Sequence, residues 1–258
     1  MIIAGFTDKG LHRDINEDHI GFDQELGVAV LADGMGGHQA GEVAARMAVD
    51  SVLGNLKNLI NRDNSAAITS SQLLEFVSHT ISASNRKIYQ AAEAHKEQQG
   101  MGTTLVTVMV KGSQLYAGHV GDSRLYLFRE QLLRRVTRDH SLVQDLIDKG
   151  FYTEEEARHA NVGHVVTRAL GTRAEVEVDT VTRDVQQDDL LLLCSDGLSD
   201  MVDDWLIEET LRNRGDDLES AARKLIQLAN RNGGKDNISV ILMKVVAVDT
   251  DTNKNYVK

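Results

Sequence analysis

Three apolar runs in this chain each end in an aspartate: VAVLAD at Asp33, LYAGHVGD at Asp122 and LLLLCSD at Asp196. A fourth aspartate, Asp236, stands just before the apolar run ISVIL. A strand delivers the side chain at its end to a fixed place on the sheet edge. Only Asp236 has a basic neighbour in sequence, Lys235. Four carboxylates placed in this way form an oxygen donor set for a hard divalent cation such as Mg²⁺ or Mn²⁺. In DGMGGHQAGE (33–42) the glycines allow a tight turn and close backbone approach, so the Gly34 carbonyl is a candidate ligand beside Asp33. An Asp-Gly pair taken alone is an ordinary turn. The segment HRDINEDH (12–19) adds Arg13, suited to clamping an anion, and Glu17 and Asp18, suited to facing metals. A charged loop is the plain alternative there.

Other chemistries lack their residues. A cysteine phosphatase needs arginine six positions after its cysteine, and the residue six positions after Cys194 is Asp200, so Cys194 reads as a core thiol. Lys235 follows two glycines but precedes Asp236, where a phosphate-binding loop requires Ser or Thr. The dinucleotide fingerprint fails at Gln39, and the nucleophile-elbow pattern fails at Leu193. The nine histidines form no H-E-x-x-H and no dinuclear phosphoesterase motif. A formal charge of -11 argues against a nucleic-acid partner, which demands a basic face. A single cysteine permits no internal disulfide and fits a reducing compartment. The N-terminus lacks the pattern of a secretion signal, and no apolar run reaches the ~20 residues of a membrane helix. A cytoplasmic protein without membrane attachment is expected.

The elements that must position these residues follow from periodicity. Residues 1–8 and 18–33 read as short strands, and 38–59 and 71–96 as two helices, an antiparallel pair on a sheet. Residues 103–136 hold four short β-rich runs separated by tight turns, a meander that predicts antiparallel pairing. Residues 141–164 interrupt this with a short helix, a Thr153–Glu156 capping box and the irregular HANVGH, together a candidate flap. Strands return at 176–183 and 189–195. Helices follow at 203–213 and 216–230, the second opened by Asp216 and Glu219 in capping-box spacing, and a last strand covers 237–247. The expected organisation is one catalytic domain over 1–248 with a polar tail at 249–258.

The motifs RDINEDH, DGMGGHQAGE, MGTTL (101–105), GHVGDSRLYL (118–127), TRDHS (137–141), VVTRALG (165–171), LLLLCSDGLSD (190–200) and GGKDNISVIL (233–242) occur in this order. Together they resemble the metal-dependent Ser/Thr protein phosphatases of type 2C, in their compact bacterial form. The resemblance implies an α+β fold, a four-layer α–β–β–α sandwich of two antiparallel sheets flanked by helix pairs, with metals in a cleft at one end. It implies that Asp33 bridges two core metals and that Asp196 and Asp236 complete the first. The Gly34 carbonyl, with Glu17 or Asp18, serves the second. Asp122 with Asp196 matches a third, weaker position, Arg13 matches the phosphate-binding arginine, and Asn237 supports the site by hydrogen bonds. The implied cofactors are two core Mn²⁺ or Mg²⁺ ions, which activate a water to hydrolyse phosphoserine or phosphothreonine. Where eukaryotic members carry a histidine after Asp-Gly, this chain has Met35, and His38 becomes a candidate proton donor.

The implied activity is that of a phosphoprotein phosphatase in signalling, monomeric, with phosphorylated Ser/Thr proteins as substrates and a Ser/Thr kinase as companion. A pseudophosphatase serving as a binding module is the alternative from another class, and it usually lacks a ligand aspartate. A hydrolase of small phosphate esters is the third reading.

Overall fold

Continuous apolar runs, rather than alternating ones, mark the strands that are covered on both faces. In the computed structural model, which describes residues 1–36, 40–60, 68–153, 156 and 165–246, every residue of β3 (Val28–Ala32) and β11 (Leu190–Cys194) is buried. Successive side chains point to opposite faces of a strand. Leu190, Leu192 and Cys194 accordingly join one core, while Leu191 and Leu193 join another. Val28, Val30 and Ala32 divide from Ala29 and Leu31 in the same way.

Two five-stranded sheets result. One has the order β1 (Ile2–Asp8), β12 (Ile238–Lys244), β11, β8 (Arg124–Arg129), β9 (Leu132–Arg135). The other runs β10 (Asp179–Asp184), β7 (Gln114–Val120), β6 (Leu105–Lys111), β3, β2 (His19–Asp23). Every pairing is antiparallel. The sheets face each other through Ala29, Leu31, Val106, Val108, Leu125, Leu191, Leu193 and Ile241. A small ribbon, β4 (Gly34–Met35) with β5 (Gly102–Thr103), lies beside them.

Helices close both outer faces. α1 (Ala40–Ile60) and α2 (Ser70–Ala94) bury Ala44, Ala48, Val52, Leu56, Val77, Ile81 and Ile88 against the β3-containing sheet. Thr69 and Gln72 form a reciprocal capping box at the start of α2. On the other side α5 (Asp204–Arg214) and α6 (Leu218–Arg231) bury Ile207, Leu211, Ala222, Leu225 and Ala229. The expected four-layer sandwich is the observed one.

Three details differ from the sequence reading. The N-cap of α6 is Asp217, whose side chain accepts from the Ser220 N–H at 3.0 Å, not Asp216. Asp216 instead pairs with Lys244 at 2.8 Å, one residue outside the cap. The strand expected at 176–183 begins only at Asp179, because Val176 and Val178 pack onto the helix-side core before pairing starts. The single turn α4 (Asp196–Ser199), too short to leave a periodic signal, carries Asp196 as its first residue.

The flap retains the short helix α3 (Leu142–Asp148), capped by Ser141, and the Thr153–Glu156 box. HANVGH and the tail 249–258 lie outside the described residues. The flap leaves and returns through a β-bridge between Ser141 and Val166. Among the described residues no helix is long and apolar enough to cross a membrane.

Leu193 is fully buried between the sheets. Leu193→Ala is expected to cost about 2–5 kcal/mol, measured as a lowered urea midpoint with an unchanged slope on chelated protein.

Candidate metal centre

Strand register brings the acidic residues to one end of the sandwich. His19 pairs with Ala32, so Asp18 and Asp33 leave adjacent strands side by side. Leu105 pairs with Val120, which sets the turn carrying Asp122 beside the Thr104 that precedes β6. In the opposite sheet Cys194 pairs with Val240, so Asp196, after β11, lies at the end where Asp236 precedes β12. Glu17, Asp18, Asp33, Asp122, Asp196 and Asp236 thus converge from both sheets.

The group is held by hydrogen bonds that the sequence reading foresaw only at Asn237. Asn237 Oδ1 accepts the Glu17 N–H at 2.8 Å, and its Nδ2 donates to the carbonyls of Lys9 at 3.0 Å and Ile15 at 2.9 Å. One amide therefore fastens the Arg13–Asp18 segment to β12. Ser195 Oγ donates to Asp18 Oδ2 at 2.9 Å and accepts the Ser239 N–H at 3.0 Å. Thr103 Oγ1 donates to the Asp33 carbonyl at 2.8 Å, and Thr104 Oγ1 accepts the Asp33 N–H at 3.1 Å. Thr103, Thr104 and Ser195 were not singled out from sequence. Their signal is position: each lies within a few residues of a strand end in a motif that also carries an aspartate or glycine.

Gly34 is required by close approach. A Cβ there would stand 2.3 Å from the Gly41 carbonyl oxygen and 2.5 Å from that of Glu17. Any side chain would push β4 off the start of α1 and off the Glu17 backbone. His38, the candidate proton donor, lies outside the described residues.

The electrostatics are those of buried acids that disfavour one another's charge. Burial, then the charges of Asp18, Asp196 and Asp122, hold the Asp33 carboxyl well above the usual range. Burial pushes Asp18 up to about 7, opposed by the Ser239 and Ser195 hydroxyls and reinforced by Asp196 and Asp236. Asp122 also rises to about 7, through burial and then the charges of Asp196 and Asp139. Glu17 is raised mainly by burial, with the Gly41 and Glu42 amides at the start of α1 pulling the other way. Arg13 Nη2 meets Asp236 Oδ2 at 2.7 Å, and this bond is the main cause of the raised Arg13 pKa. With half of its side chain exposed, Arg13 stands at the mouth of the group.

A divalent cation fits this donor set. The donors are all oxygen, they repel one another, and Asp18 Oδ1 is a buried oxygen with no hydrogen-bond partner. Coordination would satisfy such an atom, and carboxylate oxygens suit Mg²⁺ or Mn²⁺. Cys194 offers no alternative chemistry. It is fully buried in the helix-side core, and burial raises its thiol pKa to about 12. A cleft lined by Arg214, Asp217, Arg223 and Lys224 lies at the α5–α6 junction, near the Lys244 end of β12 and a sheet's length from Asp236.

These shifts set the pH behaviour. A carboxyl whose pKa is higher folded than unfolded binds its proton more tightly in the folded state. It therefore adds stability as pH falls through about 7 toward its ordinary value of about 4. Chelated protein is expected to melt at a higher temperature near about pH 6.5 than near about pH 8. Added Mn²⁺ is expected to raise the melting temperature more at the higher pH, because the ligands no longer carry protons to be displaced. Thermal melts with and without Mn²⁺ at the two pH values check both signs.

Comparison with known proteins bears on the family and the fold. The family model described as Protein phosphatase 2C matches residues 11–243. The serine/threonine phosphatase stp of Listeria monocytogenes is 39% identical over 241 residues, covering 92% of this chain and 93% of that protein. The crystal structure of the Mycobacterium tuberculosis serine/threonine phosphatase PstP/Ppp aligns with a TM-score of 0.85 at 37% identity, over 95% of this chain and 99% of that one. The catalytic domain of the serine/threonine protein phosphatase PstP, solved in complex with two manganese ions, aligns with a TM-score of 0.81 at 38% identity, over 95% and 98% of the two chains. The fold, the ordered motifs and these matches together place the chain in the protein phosphatase 2C family.

Proposed function

We propose that this chain is a metal-dependent protein serine/threonine phosphatase whose centre is built from Asp33, Asp196, Asp236, Asp122, the Gly34 carbonyl, and Glu17 or Asp18. The observation that carries this reading is the convergence of six buried or half-buried carboxylates at one end of the sandwich, with Arg13 at their mouth. The relative solved with two manganese ions supports Mn²⁺, or the similar Mg²⁺, as the cofactor. When bound, two such ions supply Lewis acidity and lower the pKa of water toward neutrality.

The residues divide the remaining work. Asp33, which meets the charge of Asp18 from its own sheet and of Asp196 from the opposite one, would be the ligand shared by the two core ions. Asp196 and Asp236, which come from the opposite sheet, would complete the ligands of one of them. Asp122 serves an outer, weaker position with Asp196. Arg13 presents a planar set of donors to the phosphoryl oxygens and orients phosphorus for in-line attack. Hydrolysis would form a bond from a water oxygen to phosphorus and break the bond from phosphorus to the serine or threonine oxygen; the water gives up a proton and the leaving oxygen takes one up. His38 is the candidate donor of that proton.

The substrates are phosphoproteins carrying phosphoserine or phosphothreonine, and a Ser/Thr kinase is the companion activity. The enzyme is read as a cytoplasmic monomer with a single catalytic domain over 1–248. The flap at 141–164 roots beside the Asp122 turn, since the Thr167 N–H donates to the His140 carbonyl and the His140 N–H to the Gly121 carbonyl. That position suits a segment that selects peptide substrates.

Asp33→Asn or Asp236→Asn is expected to lower Mn²⁺-dependent hydrolysis of a phosphothreonine peptide by more than about a hundredfold, since even outer partners of metal ligands cost about ten- to a hundredfold. Retention of most activity would refute the site. Sugar phosphates assayed under the same Mn²⁺ should be poor substrates; faster turnover of these would favour a small-ester hydrolase. Exchanging the flap for that of a relative should change kcat/KM on peptides more than on a small aryl phosphate, and equal losses on both would count against substrate selection.

A further inference from the structure

His140 makes a two-point contact with the residue before a proposed ligand. Its backbone N–H donates to the Gly121 carbonyl at 2.9 Å, and its ring Nδ1 accepts the Gly121 N–H at 3.1 Å. An amide N–H can only donate, so Nδ1 holds a lone pair and the proton of the neutral ring sits on Nε2. Nε2 faces Asp179 Oδ2 at 3.3 Å; Arg168 Nη1 stands at the same 3.3 Å from Nε2 but gives its shorter bond, 2.8 Å, to Asp179 Oδ1. The His119 ring stacks on His140 with centroids 4.7 Å apart and points its Nε2 at the Arg138 carbonyl, 2.8 Å away.

The segment that carries His140 is pinned along its length. Thr137 Oγ1 accepts the Leu125 N–H at 3.0 Å. Asp139 receives Arg124 Nη2 at 2.7 Å and Arg135 Nη2 at 2.6 Å. The turn that it grips has little freedom. Gly121 has φ +106°, and a Cβ there would stand 2.6 Å from the Thr104 Cβ. On the far side of Asp122, the Ser123 and Thr104 hydroxyls are hydrogen-bonded at 2.7 Å. Asp122 is thus suspended between Gly121, held by His140, and Ser123, held by Thr104.

We propose that His140 is a positioning residue for Asp122, with Asp179 orienting its ring, so that this pair sets the affinity of the outer cation position. The inference rests on the reading of Asp122 as a metal ligand. His119, His140 and Asp179 do place ligand atoms within 4.8 Å of one another, but they are not themselves a metal site. His140 Nδ1 is occupied by the Gly121 N–H, and the Arg168 guanidinium stands 3.3 Å from His140 Nε2 and 2.8 Å from Asp179 Oδ1, a cation already in the place a metal would take. Orienting partners of this kind are worth about ten- to a hundredfold in metal affinity.

The test is calorimetric titration of the chelated full chain with Mn²⁺, alongside melts of the metal-free protein. Wild type is expected to show tight uptake followed by a weaker phase, and Asp122→Asn is expected to lose only the weaker phase. His140→Ala should weaken that phase by about ten- to a hundredfold, leaving the tight phase and the metal-free melt in place. His140→Asn, whose Oδ1 can stand near the position of Nδ1, should recover most of it. The kcat of His140→Ala combined with Asp122→Asn should equal that of Asp122→Asn alone, the non-additivity of two residues acting on one site. Should His140→Ala fail to fold, the half-exposed Asp179→Ala decides: a weaker second phase supports the proposal and an unchanged one overturns it. An unchanged weaker phase in His140→Ala, or equal loss of both phases without rescue by Asn, overturns it as well. If Asp122→Asn leaves the titration unchanged, the ligand assignment fails and the positioning role falls with it.

Discussion

Mutual repulsion among carboxylates at the end of a double sheet is the constraint on which the rest of the structure depends. Asp18, Asp33 and Asp122 are mostly removed from water and face one another's charge, and each carboxyl is pushed upward by burial first and by its neighbours second. Such a cluster opposes folding unless the surrounding chain leaves it no other place to go. The backbone provides that. Both sheets are stitched by continuous antiparallel ladders whose strands end where the acidic residues begin.

A second layer of uncharged groups makes the arrangement specific. Asn237, Ser195, Thr103 and Thr104 each use a side-chain oxygen or amide to bind backbone or carboxylate next to a ligand candidate. None of them changes the net charge. They fix where the anions stand while leaving acceptor capacity open toward the centre, as at Asp18 Oδ1. Outside this layer the charges are balanced instead. Arg124 and Arg135 converge on Asp139, and Arg129 on Asp189. Asp236 belongs to both kinds, since it stands with the other acids and also meets Arg13 at 2.7 Å.

Much of this was legible in the sequence because strand ends are legible. VAVLAD and LLLLCSD announce both the buried strand and the aspartate after it, and the structure finds β3 and β11 buried at every position. The helix pairs followed from apolar periodicity, and the Thr153–Glu156 box from its spacing. What failed was local competition. Asp216 and Asp217 are adjacent acids, both able to cap α6, and Lys244 from a distant strand decided which of them did. Val176 and Val178 looked like strand residues but were claimed by a helix-side core.

By itself the sequence determined the family, the order of elements and the list of acids that could hold a cation, since each of these is written in contiguous motifs. Only the tertiary structure decided which acids converge at one end of the sandwich and which stand apart in ion pairs with arginines. It also decided that TRDHS grips the turn bearing Asp122, through His140 and Gly121, nineteen positions apart. The physical reason is that strand register and sheet packing are non-local. They set distances between residues far apart in the chain, and the chemistry of carboxylates depends on those distances.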